Sequence, residues 1–268
     1  MHHTELFPVL QRGSNMTIDD SDQDSTIIGV PYEGHRPDHS LCLEQPEQEG
    51  TQELAMQKRE FKIRLADNAG KRSSASMLIN KMYSWRGYSS ATALEENPNR
   101  VTIVASDSDM TIGTISINFD SELGLLVDQL YQDVIDPLRV QGLRLCEFIK
   151  LAVDSEVKSK KVLAALFHIA VIYAREVFQY SHIVIEVNPR HVKFYQRMLG
   201  FRVLGPERMN PRVNAPAVLL SVALDYIHDE VQRIGGRPEL ASTERSIYPY
   251  FFSPAEAEGI AGRLFTIN

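Results

Sequence analysis

Apolar and polar residues fall into a regular pattern from residue 61 onward. In "EFKIRLAD", Phe61, Ile63 and Leu65 alternate with charged neighbours, the period of a strand with one buried face. "SSASMLINKMYSWRGY" carries Met77, Ile79 and Met82 at helical spacing and predicts a helix ending near Gly87. "VTIVAS" and "MTIGTISINF" read as two strands joined by a hairpin at Asp107, Ser108 and Asp109. A polar, proline-containing segment, roughly 120–142, leads to a long strand in "LRLCEFIKLAVD". Between Ser159 and Phe178, Val162, Leu166, Ile169, Ala170, Tyr173 and Val177 predict an amphipathic helix. A strand Ile183–Val187, a short helix in "NPRHVKFYQRMLGF", and strands around Phe201–Leu204 and Ala217–Leu224 complete the core. The order β-α-β-β-β-α-β-α-β-β is that of an α/β (α+β) protein with a single mixed sheet.

The ends of the chain lack this periodicity. Residues 1–57 are rich in Asp, Glu, Gln, Ser and Gly ("DDSDQDST", "LEQPEQEGTQE"), too polar to bury the surface that offsets ordering entropy, so a flexible acidic segment is expected there. Within it, "TIIGVPY" is the stretch suited to docking. Residues 58–228 form the core domain, and 229–268, with "SIYPYFFSPAEAEGIAGRLF", a helical or looped extension.

Composition narrows the class. A net charge of -7 on 268 residues argues against nonspecific nucleic-acid binding. No apolar run approaches the roughly 20 residues that span a bilayer, and the N-terminus lacks the cationic and apolar regions of a signal peptide. Cys42 and Cys146 make no disulfide framework. A cytoplasmic protein is expected. His35, Asp38, His39 and Cys42 have metal-like spacing, but Pro37 interrupts any helix and no second cluster completes a site, so no metal is expected.

The element order, with "NPRHVKFYQRMLGF" in its place, resembles the GNAT acyltransferase superfamily over roughly residues 60–226. "PLRVQGLRLCEFIKLAVD", Pro137–Asp154, resembles the long strand of the N-acyl amino acid synthases, relatives of the acyl-homoserine lactone synthases. In both groups a Glu is followed closely by a basic residue, here Glu147 and Lys150. "WRGY" and "SIYPYFF" are similar to that group as well. The resemblance implies a GNAT-like sheet flanked by helices, with a central parallel strand pair that splays apart to admit a thioester. It implies no permanently bound cofactor, an acyl thioester donor on acyl carrier protein or coenzyme A, and an amino acid acceptor. Coenzyme A users of this superfamily have a glycine-rich turn that cradles pyrophosphate. The corresponding "DSEVKSKKVLA" has no glycine, which suits phosphopantetheine delivered on acidic acyl carrier protein.

Candidate residues follow. Glu147 lies in an apolar row with Leu145, Ile149, Leu151 and Val153, where a carboxylate is costly unless paired or useful. It is either paired with Arg139 or Arg144, or the general base for an incoming amine. Tyr195 either packs with its helix or protonates the leaving thiolate, as a tyrosine in this helix can do in GNAT enzymes. Lys158, Lys160 and Lys161 are candidates for holding the donor, and backbone amides near Ala152 or Val153 for the oxyanion. Asn188 either caps its helix or bonds pantetheine; Arg86 is a candidate clamp for the acceptor carboxylate. His168 and His182 read as satisfied core or boundary histidines. Three functions stay open: an N-acyl amino acid synthase, an acyl-homoserine lactone synthase or coenzyme A dependent N-acetyltransferase, and a GNAT-shaped binding module without turnover.

Overall fold

The structure is a computed structural model that describes residues 26–33, 58–84, 94, 97–157 and 159–267. Among the described residues, nine strands form the sheet system, in the order β1-β2-β3-β4-β5-β6-β9-β7, with β8 pairing β9. The strands are β1 (Thr26–Glu33), β2 (Lys58–Leu65), β3 (Arg100–Asp107), β4 (Met110–Phe119), β5 (Leu145–Val153), β6 (His182–Val187), β7 (Arg202–Val203), β8 (Arg208–Asn210) and β9 (Ala215–Ala223). The helices are α1 (Ala69–Ser84), α2 (Asp128–Val140), α3 (Lys160–Ile172), α4 (Val192–Leu199), α5 (Leu224–Ile234) and α6 (Pro254–Ile267). All pairings are antiparallel except β5·β6. Parallel neighbours need a long crossover, which α3 supplies. This is the single mixed sheet, flanked by helices and holding one parallel pair, that the sequence predicts.

Four features depart from the sequence pattern. "TIIGVPYE", inside the polar N-terminal segment, forms edge strand β1 on β2. Residues 128–140, read as a polar connection, form α2: Val127, Tyr131 and Ile135 recur every four residues and are buried against Leu145, Val184 and Leu219. Pro137 sits inside that helix and hides the pattern from a reading that stops helices at proline. Three residues, Arg208–Asn210, add the short strand β8. In α1 the buried stripe runs through Ala75, Leu78, Ile79 and Met82, while Met77 is exposed.

Helix α3 is buried almost all round, beyond the amphipathic helix expected, because the C-terminal residues cover its outer side. Tyr248, Phe251, Phe252, Ile260 and Leu264 belong to the same core as α3. His168, on α3, accepts the Phe252 N–H at Nδ1 (3.0 Å) and stacks on Phe251 and Phe252. Burial pushes its pKa down to about 3, so it is a neutral core histidine. Arg263 on α6 donates to the Ile27 carbonyl at 2.7 Å and ties the last helix to the first strand.

The Leu-Gly-Phe corner has a defined geometry. Gly200 ends α4 at φ 74°, the left-handed region glycine tolerates, and a Cβ there would collide with the Tyr226 ring. The corner is closed by the Gly200 N–H on the Gln196 carbonyl (3.2 Å) and the Phe201 N–H on that of Tyr195 (3.3 Å).

Candidate active site

Pairing between β5 and β6 stops where the chemistry is expected to begin. Leu145, Cys146 and Glu147 pair with His182, Ile183 and Val184; beyond Glu147 the two strands have no further paired residues. On its other side β5 continues along β4, but with a bulge: Ser116 faces Ile149 and Thr114 faces Ala152, so Lys150 and Leu151 oppose Ile115 alone. Lys150 takes φ 54° at this point. The extra residue inverts the alternation, so Leu151 and Val153 pack in the α3 core with Cys146 and Phe148. They do not share Glu147's face, as unbroken alternation would require.

Glu147 is 1% exposed. Its Oε2 accepts the Leu126 backbone N–H at 2.8 Å, and its cross-strand neighbour Asn118 hydrogen-bonds the carboxyl group. Burial pushes its pKa up to about 7, against the pull of the Leu126 hydrogen bond, the Arg212 charge and Asn118; the charge of Glu186 adds to the rise. Neither arginine expected as a partner fills that role. Arg144 lies over the Tyr180 ring, 4.9 Å from its centroid. Arg139 grips Asp120 through two nitrogens (2.7 and 2.8 Å), Asp128 (2.6 Å) and Asp136 (2.7 Å). Asp128 in turn accepts the Leu125 N–H at 2.7 Å. Arg139 therefore holds the 120–128 loop that presents the Leu126 N–H to Glu147. Asn118 and Leu126 also line a polar cavity of about 350 Å³, together with Asn97, Asn99, Arg100 and Gln129.

Strand geometry separates the two amides considered for an oxyanion. The Asp154 N–H donates to the Ile112 carbonyl at 2.9 Å, and Thr114 faces Ala152 in the same ladder. In an antiparallel pair, alternate residues direct their amides at the partner. Ala152 is thus committed to β4, and the Val153 N–H points to the side where β6 has departed.

Tyr195 lies on the α3 side of the sheet. Its ring meets Phe201 edge-on at 5.7 Å, Phe201 meets Phe167 at 6.3 Å, and Phe167 meets Phe148 at 5.3 Å. Glu147 is on the opposite face with Leu145 and Val184, under α2. Tyr195 and Glu147 thus flank the sheet from its two sides near the parting strands. Asn188 accepts the Arg190 N–H at 3.3 Å, a local cap, and its amide nitrogen is 3.4 Å from the Pro216 carbonyl. Lys160 and Lys161 stand exposed at the start of α3, with the Lys160 ammonium 5.9 Å from the centre of the Tyr250 ring. In the preceding turn Asp154 is paired with Lys81 at 3.0 Å. Lys158, Arg86 and the His35–Cys42 group lie outside the described residues.

Sequence reasoning passes over Glu186 and Arg212. Glu186 is the same signal as Glu147, a carboxylate inside an apolar strand ("IVIEV"), and lies two residues beyond the last residue of β6 paired with β5. Arg212 reaches it from the β8–β9 turn. Asn118 was legible too, as the end of a polar row Thr114, Ser116, Asn118 on a buried strand.

Residues 74–223, more than half of the chain, match the family described as N-acyl amino acid synthase FeeM. The solved structure of FeeM, an N-acyl amino acid synthase from uncultured soil microbes, is similar with a TM-score of 0.58 and 27% identity, covering 62% of this chain and 93% of that one. A putative N-acetyltransferase from Lactobacillus plantarum (TM-score 0.47, 16% identity) is matched over 61% of this chain and 98% of its own. The AHL synthase LasI (0.43, 11%) is matched over 62% and 91%. No curated protein matches the sequence. No described helix is long and apolar enough to cross a membrane.

Proposed function

The chain belongs to the FeeM family of N-acyl amino acid synthases and is an acyltransferase, and from that premise we propose that it joins a long-chain acyl group, carried as a thioester on acyl carrier protein, to the α-amine of an amino acid. The observation that carries this reading is Glu147, a buried carboxyl group with its pKa near neutrality, set where β5 and β6 part.

The thioester enters the gap between the strands, its carbonyl oxygen toward the Val153 N–H. The acceptor arrives as an ammonium ion and loses one proton to Glu147, directly or through water. Its nitrogen then attacks the carbonyl carbon, and the Val153 amide stabilises the oxyanion that forms. Collapse breaks the C–S bond and leaves an amide. The second nitrogen proton passes to solvent, Glu147 returns the first to solvent to regenerate its carboxylate, and the departing pantetheine thiolate takes its proton from Tyr195, which solvent reprotonates. Atoms and charge balance without a cofactor.

A donor on acyl carrier protein is favoured over acyl-coenzyme A by the glycine-free turn before α3 and the lysines beside it. An acidic carrier domain meets Lys158, Lys160 and Lys161 by charge attraction. Mass spectrometry of lipids from cells expressing the protein tests the whole reading. An N-acyl amino acid peak present with the native chain and absent with Glu147→Gln is expected. An acyl-homoserine lactone or a short-chain acetylated amine in its place would overturn it.

A further inference from the structure

Beyond Glu147, the same face of the sheet carries a second, mostly buried carboxylate with a guanidinium against it. Glu186 lies on β6 past the last pairing with β5, its side chain 12% exposed. Asn210, fully buried at the end of β8, donates its side-chain amide to Glu186 Oε1. The Asn210 carbonyl oxygen Oδ1 accepts the Arg212 backbone N–H at 2.8 Å, which sets the turn so that the Arg212 guanidinium lies against Glu186. That contact is loose: its two distances are 3.5 and 3.4 Å, against 2.6–2.8 Å for Arg139 and its carboxylates. Glu186 keeps the Asn210 amide when the guanidinium leaves, so releasing Arg212 strands no carboxylate without a donor. The Arg212 side chain is 36% exposed and open to a ligand.

We infer that Arg212 binds the carboxylate of the acceptor, with Glu186 and Asn210 as positioning residues that hold the guanidinium ready. This rests on the reading of the site as an amino acid N-acyltransferase and names its specificity element. The charges match: a zwitterion brings one ammonium and one carboxylate, and Glu147, Glu186 and the Arg212 guanidinium complement both. Glu147 pairs with Val184, two residues before Glu186 on the same face of β6, and Arg212 lies against Glu186, so one small molecule can reach both groups. Arginine's planar fork takes a carboxylate bidentately and loses little freedom in doing so.

The experiment measures kcat and KM with dodecanoyl-acyl carrier protein as donor. The acceptors are the twenty amino acids, and the decarboxylated amine of whichever is acylated best. The enzymes are the native chain, Arg212→Gln and Arg212→Lys. Arg212→Gln should raise KM for the amino acid about 10²-fold while kcat changes less than about threefold. Arg212→Lys should recover part of the loss. The amine should be a poor substrate of the native enzyme, with a KM that neither substitution moves. KM rising equally for amino acid and amine, or remaining unchanged for the amino acid, would overturn the assignment of Arg212 alone. A native enzyme that acylates amines and no amino acid would instead overturn the underlying function.

Discussion

The backbone N–H of Leu126 points at Oε2 of Glu147 across 2.8 Å, and among the described residues it is the one backbone donor given to a carboxylate that burial otherwise drives toward its neutral form. The contact keeps the group oriented while leaving its pKa near 7, where a carboxylate is both substantially ionised and basic enough to take a proton.

Replacing Glu147 by Gln keeps the shape and the Leu126 hydrogen bond but removes the base. Turnover should fall about 10²-fold or more with the fold intact by circular dichroism. In the native enzyme kcat should rise with pH through about 7, as Glu147 loses its proton. A steady-state pH profile checks this; near-normal turnover of folded Glu147→Gln across the range would return Glu147 to a structural role.

The same group makes stability pH-dependent. Its folded pKa, about 7, lies above the usual 4.5, so its contribution is intact below about pH 4.5 and is lost as pH rises through about 7. At about 1.4 kcal/mol per unit, the loss is on the order of 3 kcal/mol. Urea unfolding at pH 5 and pH 8 should show native stability decreasing relative to Glu147→Gln, which lacks this component. Parallel curves for the two proteins would contradict the buried ionisation.

Arg139 reaches Glu147 only through the loop it holds. Arg139→Met leaves Asp120, Asp128 and Asp136 without their cation and should cost on the order of 2 kcal/mol, discounted for partial exposure. Its more telling effect is on the pH profile. A loosened loop withdraws the Leu126 N–H, which lowers the Glu147 pKa, so the acid limb of kcat should move to higher pH. A stability loss with an unmoved limb would make Arg139 merely structural.

The short helix α4 is anchored from the C-terminal segment, where the Tyr248 hydroxyl donates to the Leu199 carbonyl at 2.8 Å and the Ile247 N–H to that of Met198 at 3.0 Å. Tyr248→Phe leaves a buried carbonyl short of a donor and should cost about 1–3 kcal/mol, read as a Tm lower by several degrees. Tyr195→Phe should lower kcat less than Glu147→Gln does, because thiolate is already a fair leaving group. A kcat for Tyr195→Phe equal to the native value would remove the phenol from the reaction.

Charge reversal of Lys158, Lys160 and Lys161 to Glu should slow acylation from acyl carrier protein most at low ionic strength, where attraction between exposed charges is least screened. Single-turnover rates at about 20 mM and 300 mM salt measure it. A rate unaffected at both salts would place the carrier protein elsewhere.

Local pattern was enough for the main strands, for α3 and α4 and for singling out Glu147, because strand and helix periods and a charge in an apolar row are properties of neighbours along the chain. The family likeness was carried the same way, by "NPRHVKFYQRMLGF" and the Glu147 strand. Only tertiary structure decided what Glu147 meets. Its Leu126 donor is 21 residues away in sequence, and Arg139, a plausible partner by sequence, was taken by three aspartates. The bulge at Lys150, which turns Leu151 and Val153 to the other face, depends on how β5 pairs with β4, and no periodicity within β5 announces it. Glu186 and Arg212 meet because the β8–β9 turn folds back over β6. Such encounters depend on burial and register between distant segments, and those are set when the sheet closes.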